Sequence, residues 1–169
     1  LLVKVFAVPI YYQELHPLHE QAVEELQQAE QSGLFITFRT NGIQVGMIES
    51  DNRLMATAIK WKYGDYCDIA VVKNSRGNIQ IMTSGPYQDR VVDLSPIVKP
   101  IQFLELRHSG MTKKEVLEAM SQATSILEPI DQVPWKVCYN PGQKRVWGLL
   151  NGSIKWPGIA PSSLTLDQI

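Results

Sequence analysis

Apolar residues recur along the chain with two different periods, and segments of one period alternate with segments of the other. From Gln13 to Gln31 the period is three or four residues, which predicts an amphipathic helix that Gly33 ends. The apolar positions are Leu15, Leu18, Ala22, Leu26 and Ala29. The charged residues of this segment are all Glu, so we expect its outer face to repel a nucleic-acid backbone.

The next segment, LFITFRTNGIQVGMIES, predicts a β-hairpin. Its two β-rich runs are separated by Asn41-Gly42, which tolerates the positive φ angles of a two-residue type I′ turn. Ser50 and Asp51 then resemble a helix N-cap, and Gly64 is predicted to end that helix.

Two further strands and two further helices follow. Residues 69–72 form an apolar run typical of a strand buried on both faces, whereas residues 79–83 alternate. The turn from Asn74 to Asn78 is interpreted as the connection between them. Ser95 with Pro96 predicts a short helix, and Thr112 with Glu115 predicts a capping box at the start of the last helix.

After Pro129 the chain becomes rich in Pro, Gly and Trp. A hairpin is predicted around residues 140–142, followed by an extended tail. The order of elements predicts an α/β fold, with α+β as the alternative: a mixed β-sheet with helices packed on it, plus the C-terminal hairpin and tail. We expect an α/β domain over residues 1–130, with residues 131–169 packed on the same domain.

Bulk composition restricts the function classes. The chain has 169 residues, 44% of them hydrophobic, and a formal net charge of -1, which fits a globular domain and excludes a generally basic nucleic-acid binder. No apolar run approaches the roughly 20 residues of a membrane helix, so we expect a cytoplasmic protein. Cys67 and Cys138 are expected to be buried free thiols. The missing initial Met suggests a piece of a longer protein.

No complete active site is predicted in this sequence. His16, His19 and Glu20 have a spacing that could hold a metal ion, but Pro17 lies between the histidines, and a polar helix entrance is the preferred interpretation. The chain contains no Gly-x-Ser-x-Gly nucleophile motif and no Gly-rich phosphate loop. We therefore predict no catalytic and no metal-binding residue in the chain.

The C-terminal third carries the clearest binding signal. Residues 132–166 contain no Asp or Glu, while cationic and aromatic residues alternate there. Neutralised phosphates and stacked bases are what single-stranded nucleic acid requires, so a binding surface is predicted. Its residues are Lys144, Arg145, Trp147, Lys155 and Trp156. The alternative is that the tryptophans pack the Pro-rich tail onto the sheet.

Two smaller groups are also candidates for substrate binding. Arg107 and His108 lie in a polar stretch before the last helix, and with the free N–H groups of that helix they could hold an anion. Arg76 and Asn78, in the predicted hairpin turn, would contribute if that edge faces a substrate cleft.

Four segments together resemble a known family. They are Val45–Ser50, Asp68–Val72, Ile79–Thr83 and Val92–Ile97. In their order and spacing, residues 35–98 resemble the C-terminal, substrate-binding domain of DHH-type phosphoesterases. The sequence departs from that family at Thr83-Ser84-Gly85, where the family has Arg-Ser, and it lacks the Asp-His-His signature of the metal-binding domain.

The resemblance implies a domain that binds a nucleotide, an oligonucleotide or another phosphate ester. It also implies a divalent metal, Mn or Mg, held by an N-terminal catalytic domain of the same polypeptide, and no cofactor in this chain. It transfers none of the family's catalytic residues to this sequence. The alternative is a stand-alone α/β protein-interaction module without catalytic activity, which would dock through the acidic helix and the Trp-rich tail.

Overall fold

The computed structural model describes residues 15–62, 67–83, 92–123, 125, 133–151 and 160–169. These ranges contain four α-helices, six β-strands and a short 3₁₀-helix. In chain order they are α1 His16–Gln31, β1 Ile36–Thr40, β2 Ile43–Glu49, α2 Met55–Lys62, β3 Ile69–Lys73, β4 Ile79–Thr83, α3 Ser95–His108, α4 Lys113–Gln122, β5 Lys136–Asn140, β6 Arg145–Leu150 and the 3₁₀-helix Leu166–Gln168.

The six strands form one mixed sheet in the order β1-β2-β3-β4-β6-β5. The pair β2–β3 is parallel, and the other neighbouring strands are antiparallel. The predicted mixed α/β sheet with helices packed on it is thus confirmed. Because β6 pairs with β4, the C-terminal hairpin forms one edge of this sheet, and β1 forms the other.

Each face of the sheet carries its own hydrophobic cluster. Val71 belongs to the cluster shared with α3 and the C-terminal tail, whereas its neighbours Ala70 and Val72 belong to the cluster shared with α1 and α2. This alternation follows from the period of two in a strand. It confirms the prediction that β3 is buried on both faces, since helices cover each side.

The locally encoded turns are as predicted. Asn41 and Gly42 both have positive φ, 49° and 78°, as a type I′ turn requires. Asn74 accepts hydrogen bonds through Oδ1 from the backbone N–H groups of Arg76 (3.1 Å) and Asn78 (2.8 Å). The segment from Asn74 to Asn78 is therefore the connection between β3 and β4.

Two predictions about helices were wrong. The helix that begins at Ser95 is not short: α3 has 14 residues and continues through Pro100. Burial of its apolar stripe, Val98, Ile101 and Leu106, outweighs the roughly 3 kcal/mol that an interior Pro costs a helix. Consequently Arg107 and His108 lie in the last turn of a helix instead of in a loop.

The predicted cap of α2 was also misplaced. Asp51 Oδ1 accepts from the backbone N (2.9 Å) and the Oγ (2.8 Å) of Ser75, so this residue holds the β3–β4 turn. Asn52 Oδ1 accepts from Leu54 N (2.9 Å) at the start of α2 instead. Gly64, the predicted end of that helix, lies outside the described residues.

Both cysteines are free, Cys67 buried and Cys138 half-buried. Within the described ranges, none of the helices combines the length and the apolar character that crossing a membrane requires.

Candidate anion-binding site

Three Asp, Glu, Lys or Arg side chains in the described ranges are more than nine-tenths buried: Asp68, Glu105 and Arg145, with 8%, 4% and 5% exposure. Burying a charged or polar group is unfavourable unless it is hydrogen-bonded. Asp68 Oδ2 accepts from Gln44 N at 2.8 Å, next to the β2–β3 pair. Glu105 and Arg145 lie at opposite ends of the sheet, and they differ in how many of their polar atoms are hydrogen-bonded.

Glu105, in the last turns of α3, has both carboxyl oxygens occupied. Oε1 accepts from Trp135 Nε1 (2.8 Å) and from Ser162 Oγ. Oε2 accepts from the backbone N (3.1 Å) and the Oγ (2.7 Å) of Ser163. Glu105 therefore fastens the C-terminal tail and the Trp135 indole to α3. Trp135 is 5% exposed and belongs to the core, as the packing interpretation of the tryptophans predicts for this ring.

Asn151 belongs to the same buried group, which we call the tail anchor. Its members are Glu105, Trp135, Asn151, Ser162 and Ser163. Asn151 is 0% exposed and donates through Nδ2 to the carbonyl oxygens of Pro134 and Ala160 (3.0 Å for the latter). Its Oδ1 accepts from Ser162 N at 2.8 Å. The residues that fasten the tail, Glu105 and Asn151, were not candidates from the sequence, because nothing in their local pattern marks them as buried.

Arg145, the first residue of β6, is the exception. Its Nε donates to Gln143 Oε1 at 2.7 Å, whereas Nη1 and Nη2 are buried and have no hydrogen-bond partner among the residues that the structure describes. A guanidinium group stays charged at every physiological pH and carries its N–H donors in a planar fork. The unpaired side of the fork, which carries Nη1 and Nη2, has the geometry that binds two oxygens of a phosphate or a carboxylate.

The β5–β6 turn fixes the orientation of this fork. Asn140 Oδ1 accepts from the backbone N of Gly142 (3.0 Å) and of Gln143 (3.2 Å), which holds the turn closed. Asn140 Nδ2 donates to Gln143 Oε1 at 3.1 Å, the same oxygen that accepts from Arg145 Nε. Since Nε lies in the guanidinium plane, the Gln143 contact orients Nη1 and Nη2 as well.

Asp93, just before α3, provides a negative charge near Arg145. Its Oδ1 accepts from Ser95 N (3.0 Å), Ser95 Oγ (2.7 Å) and Val146 N (2.9 Å). Partial burial raises the pKa of Asp93, but these hydrogen bonds and the attraction of Arg145 outweigh it, so the pKa is lower than usual. Asp93 is therefore ionised at neutral pH, yet within the described ranges it makes no hydrogen bond to either Nη group of Arg145.

Lys144, Arg145 and Trp147 lie together at this end of the sheet. Lys144 is exposed in the turn with φ of 50°, and Trp147 is half-buried. The carbonyl oxygen of Trp147 accepts from Thr83 Oγ1 at 3.2 Å. Arg145 is interior, although the sequence pattern predicted it on a surface. Lys155 and Trp156 lie outside the described residues.

Arg107 and His108 contact neighbouring parts of the chain. Arg107 Nη1 donates to the Met111 carbonyl at 2.7 Å, and His108 Nε2 lies 3.3 Å from Gln168 Nε2. The predicted capping box of α4 is confirmed, with Glu115 Oε2 2.7 Å from Thr112 N. A carboxylate of the protein already occupies the helix start where an anion was predicted, and its hydrogen bonds with Thr112 lower the pKa of Glu115.

Arg76 and Asn78 lie at the other end of the sheet from Arg145. Arg76 is exposed, and Asn78 Nδ2 lies 3.4 Å from Asn151 Oδ1, so Asn78 contacts the tail anchor. The segment from Arg145 to Leu150 spans about 17 Å at the rise of a β-strand. The structure thus divides the predicted site residues that it describes between the two ends of the sheet, and among them Arg145 has buried donors without a partner in the described ranges.

In the portion of the chain that the structure describes, no group of three His, Cys, Asp or Glu side chains could hold a metal ion. No protein-family model, curated protein or solved structure matches this chain.

Proposed function

We propose that this chain is a ligand-binding domain for a phosphate-bearing molecule, and that Arg145 is its anion-binding residue. The observation that supports the proposal is the pair of buried Nη groups, which have no partner in the part of the chain that the structure describes. An unsatisfied buried polar group costs about 1–3 kcal/mol, and a charged group more. A ligand that supplies two oxygens would satisfy both groups and remove that cost.

The surroundings of Arg145 favour a ligand with a small net charge. Lys144 adds a positive charge at the turn and Asp93 a negative one beside α3, so with Arg145 the three sum to about one positive charge. Trp147, two positions along β6, is partly exposed and could stack on a base. These features fit a nucleotide, an oligonucleotide or another phosphate ester.

We further propose that the chain is the C-terminal substrate-binding domain of a DHH-like phosphoesterase in the cytoplasm. The resemblance of residues 35–98 supports this proposal. The metal ions, Mn or Mg, and the hydrolytic step would belong to an N-terminal catalytic domain of the same polypeptide. In this arrangement Arg145 binds a phosphate group of the substrate. This chain binds the substrate but does not cleave it.

Binding is tested by titrating the full chain with adenosine monophosphate and, separately, with single-stranded oligo-dT at low salt, by calorimetry and tryptophan fluorescence. We expect saturable binding that weakens as salt rises, because bound phosphates release counterions. Lys144→Ala, an exposed change one residue away, should weaken binding much less than Arg145→Met. Absence of binding to both probes would contradict the proposal.

A separate experiment tests whether this chain binds the substrate without hydrolysing it. Incubation of the chain with a short oligonucleotide and Mn²⁺ should leave the oligonucleotide intact. Hydrolysis that purifies with the chain would show that the catalytic groups reside here after all.

A stand-alone interaction module is the second candidate function, and one observation favours it. Leu34, Ile36 and Phe38 are 69%, 48% and 44% exposed along the sheet edge formed by β1. Solvent-exposed apolar rows of this kind are typical of protein interaction sites. If neither phosphate probe binds and the β1 edge binds a protein, this function replaces the first.

A further inference from the structure

The surroundings of Arg145 contain an acidic group as well as basic ones. Asp93 lies beside the start of β6: its Oδ1 accepts from Val146 N at 2.9 Å, and Leu94 N donates to the Val146 carbonyl at 2.9 Å. Arg145 directly precedes Val146 in the chain, and its positive charge is one of the causes that lower the pKa of Asp93. An anion bound by Nη1 and Nη2 of Arg145 would therefore lie close to the Asp93 carboxylate.

The two carboxylate oxygens of Asp93 differ in their hydrogen bonds. Oδ1 accepts from Ser95 N, Ser95 Oγ and Val146 N, which hold the carboxylate in place. Oδ2 accepts no hydrogen bond from the residues that the structure describes, and Asp93 is an exposed residue. Oδ2 is therefore an acceptor that can serve a bound ligand.

We propose that Asp93 makes the site selective for a phosphate that carries a hydrogen, either inorganic phosphate or the terminal group of a phosphomonoester. Two phosphate oxygens accept from Nη1 and Nη2 of Arg145, and the P–OH group donates to Oδ2 of Asp93. The selectivity rests on the anion-binding function proposed for Arg145, and it narrows the class of ligand. Asp93 is a specificity-determining residue in this arrangement.

The donors and acceptors of the two side chains support this choice of ligand. A guanidinium group provides only donors, and an ionised carboxylate provides only acceptors. A ligand that fits both must present oxygens to Arg145 and a hydrogen to Asp93. The second pKa of a phosphomonoester is about 6, so its protonated form is available near neutral pH. Sulfate and phosphodiesters carry no such hydrogen there, and they would place an oxygen against the Asp93 carboxylate.

The other cation near the site does not cancel this discrimination. Lys144 is exposed in the β5–β6 turn, where water and salt screen its charge, whereas Arg145 is buried. Both cations attract phosphate and sulfate alike, because neither of them can accept a hydrogen bond. The contact that differs between the two anions is the one at Asp93, which is attractive for one and repulsive for the other.

Calorimetric titration of the full chain with inorganic phosphate and with sulfate tests the selectivity. The two ions are similar in size and charge near neutral pH, but only phosphate carries a hydrogen. We expect the unmodified chain to bind phosphate at least about tenfold more tightly, because with sulfate a repulsion replaces a hydrogen bond to a charged group. Methyl phosphate should likewise bind more tightly than dimethyl phosphate.

Asp93→Asn changes the selectivity without removing the contacts of Oδ1. The amide oxygen can still accept from Ser95 and Val146, while the amide nitrogen takes the place of Oδ2 and is a donor. Sulfate should therefore bind more tightly to this variant than to the unmodified chain, a gain that unfolding cannot produce. Asp167→Asn, the same substitution at an exposed residue of the 3₁₀-helix, is the matched control and should keep the preference for phosphate.

The possible failures can be told apart. Equal affinity of the unmodified chain for phosphate and sulfate, or a preference for phosphate that persists in Asp93→Asn, would overturn the role of Asp93 and leave anion binding at Arg145 intact. If neither ion binds the unmodified chain and adenosine monophosphate does not bind either, the function proposed for Arg145 fails, and the selectivity fails with it.

Discussion

Glu105 and Arg145 are buried to nearly the same degree at opposite ends of one sheet, but their hydrogen bonding differs. Glu105 accepts four hydrogen bonds from Trp135, Ser162 and Ser163. Among the described residues, Arg145 makes a single hydrogen bond, to Gln143, and two of its nitrogens make none. A buried group with a full set of partners stabilises a fold, whereas one with open donors lowers stability until something binds it.

The two regions therefore predict opposite responses to mutation. At the Glu105 end, removing the side chain leaves several buried donors without an acceptor, which lowers the stability of the fold. At the Arg145 end, removing the side chain relieves an unsatisfied charge. The variants below test this contrast, starting with the largest expected effect.

Glu105→Ala should lower the free energy of unfolding by about 3–5 kcal/mol, because a buried donor left without its acceptor costs about 1–3 kcal/mol and the change affects several of them. It leaves the indole N–H of Trp135 and the N–H of Ser163 without their acceptor, and it detaches the tail from α3. Urea unfolding measures the change. Glu118→Ala, at an exposed position of α4, is the control and should stay within about 0.5 kcal/mol. A Glu105→Ala protein as stable as that control would refute the role of the tail anchor.

Gln143→Leu should weaken binding of adenosine monophosphate about tenfold, equivalent to about 1.4 kcal/mol, and should change stability less than Glu105→Ala does. The substitution removes the oxygen that accepts a hydrogen bond from Arg145 Nε, so the guanidinium group is no longer held in one orientation. Calorimetric titration measures the affinity. Unchanged affinity would show that the turn does not position Arg145.

Asp93→Asn should have the smallest effect, visible in the pH dependence of stability. The folded-state pKa of Asp93 is lower than its ordinary value of 3.8. Its contribution is therefore fully present well above pH 3.8, shrinks as the pH falls below that value, and disappears below the folded-state pKa. The variant should show a shallower loss of stability over this acidic window. Parallel curves for variant and unmodified chain would contradict this assignment.

The sequence was informative where structure is local. Asn41-Gly42 defines its turn through two positive φ angles, and Thr112 with Glu115 caps α4 across three residues. Both features depend on residues close together in the chain. That is why they could be predicted without knowledge of the sheet.

The candidate site could be predicted only in part. Arg145 was identified from the acid-free C-terminal third, but its burial depends on the position of β6 beside β4. Glu105 was missed because its partners lie 30 and 57 residues away in the chain, at Trp135 and Ser162. The length of α3 was missed because tertiary burial overrides the local preference of Pro100.

The most direct test compares urea unfolding of the unmodified chain and of Arg145→Met, each with and without adenosine monophosphate. Without ligand, Arg145→Met should be as stable as the unmodified chain or more so, because an apolar side chain of similar length replaces an unsatisfied charge. The ligand should stabilise the unmodified chain, by about 2.7 kcal/mol at a hundredfold excess over Kd, and should leave Arg145→Met unchanged. A large loss of stability in Arg145→Met, with no effect of the ligand on either protein, would contradict the assignment of Arg145 as an open anion-binding group.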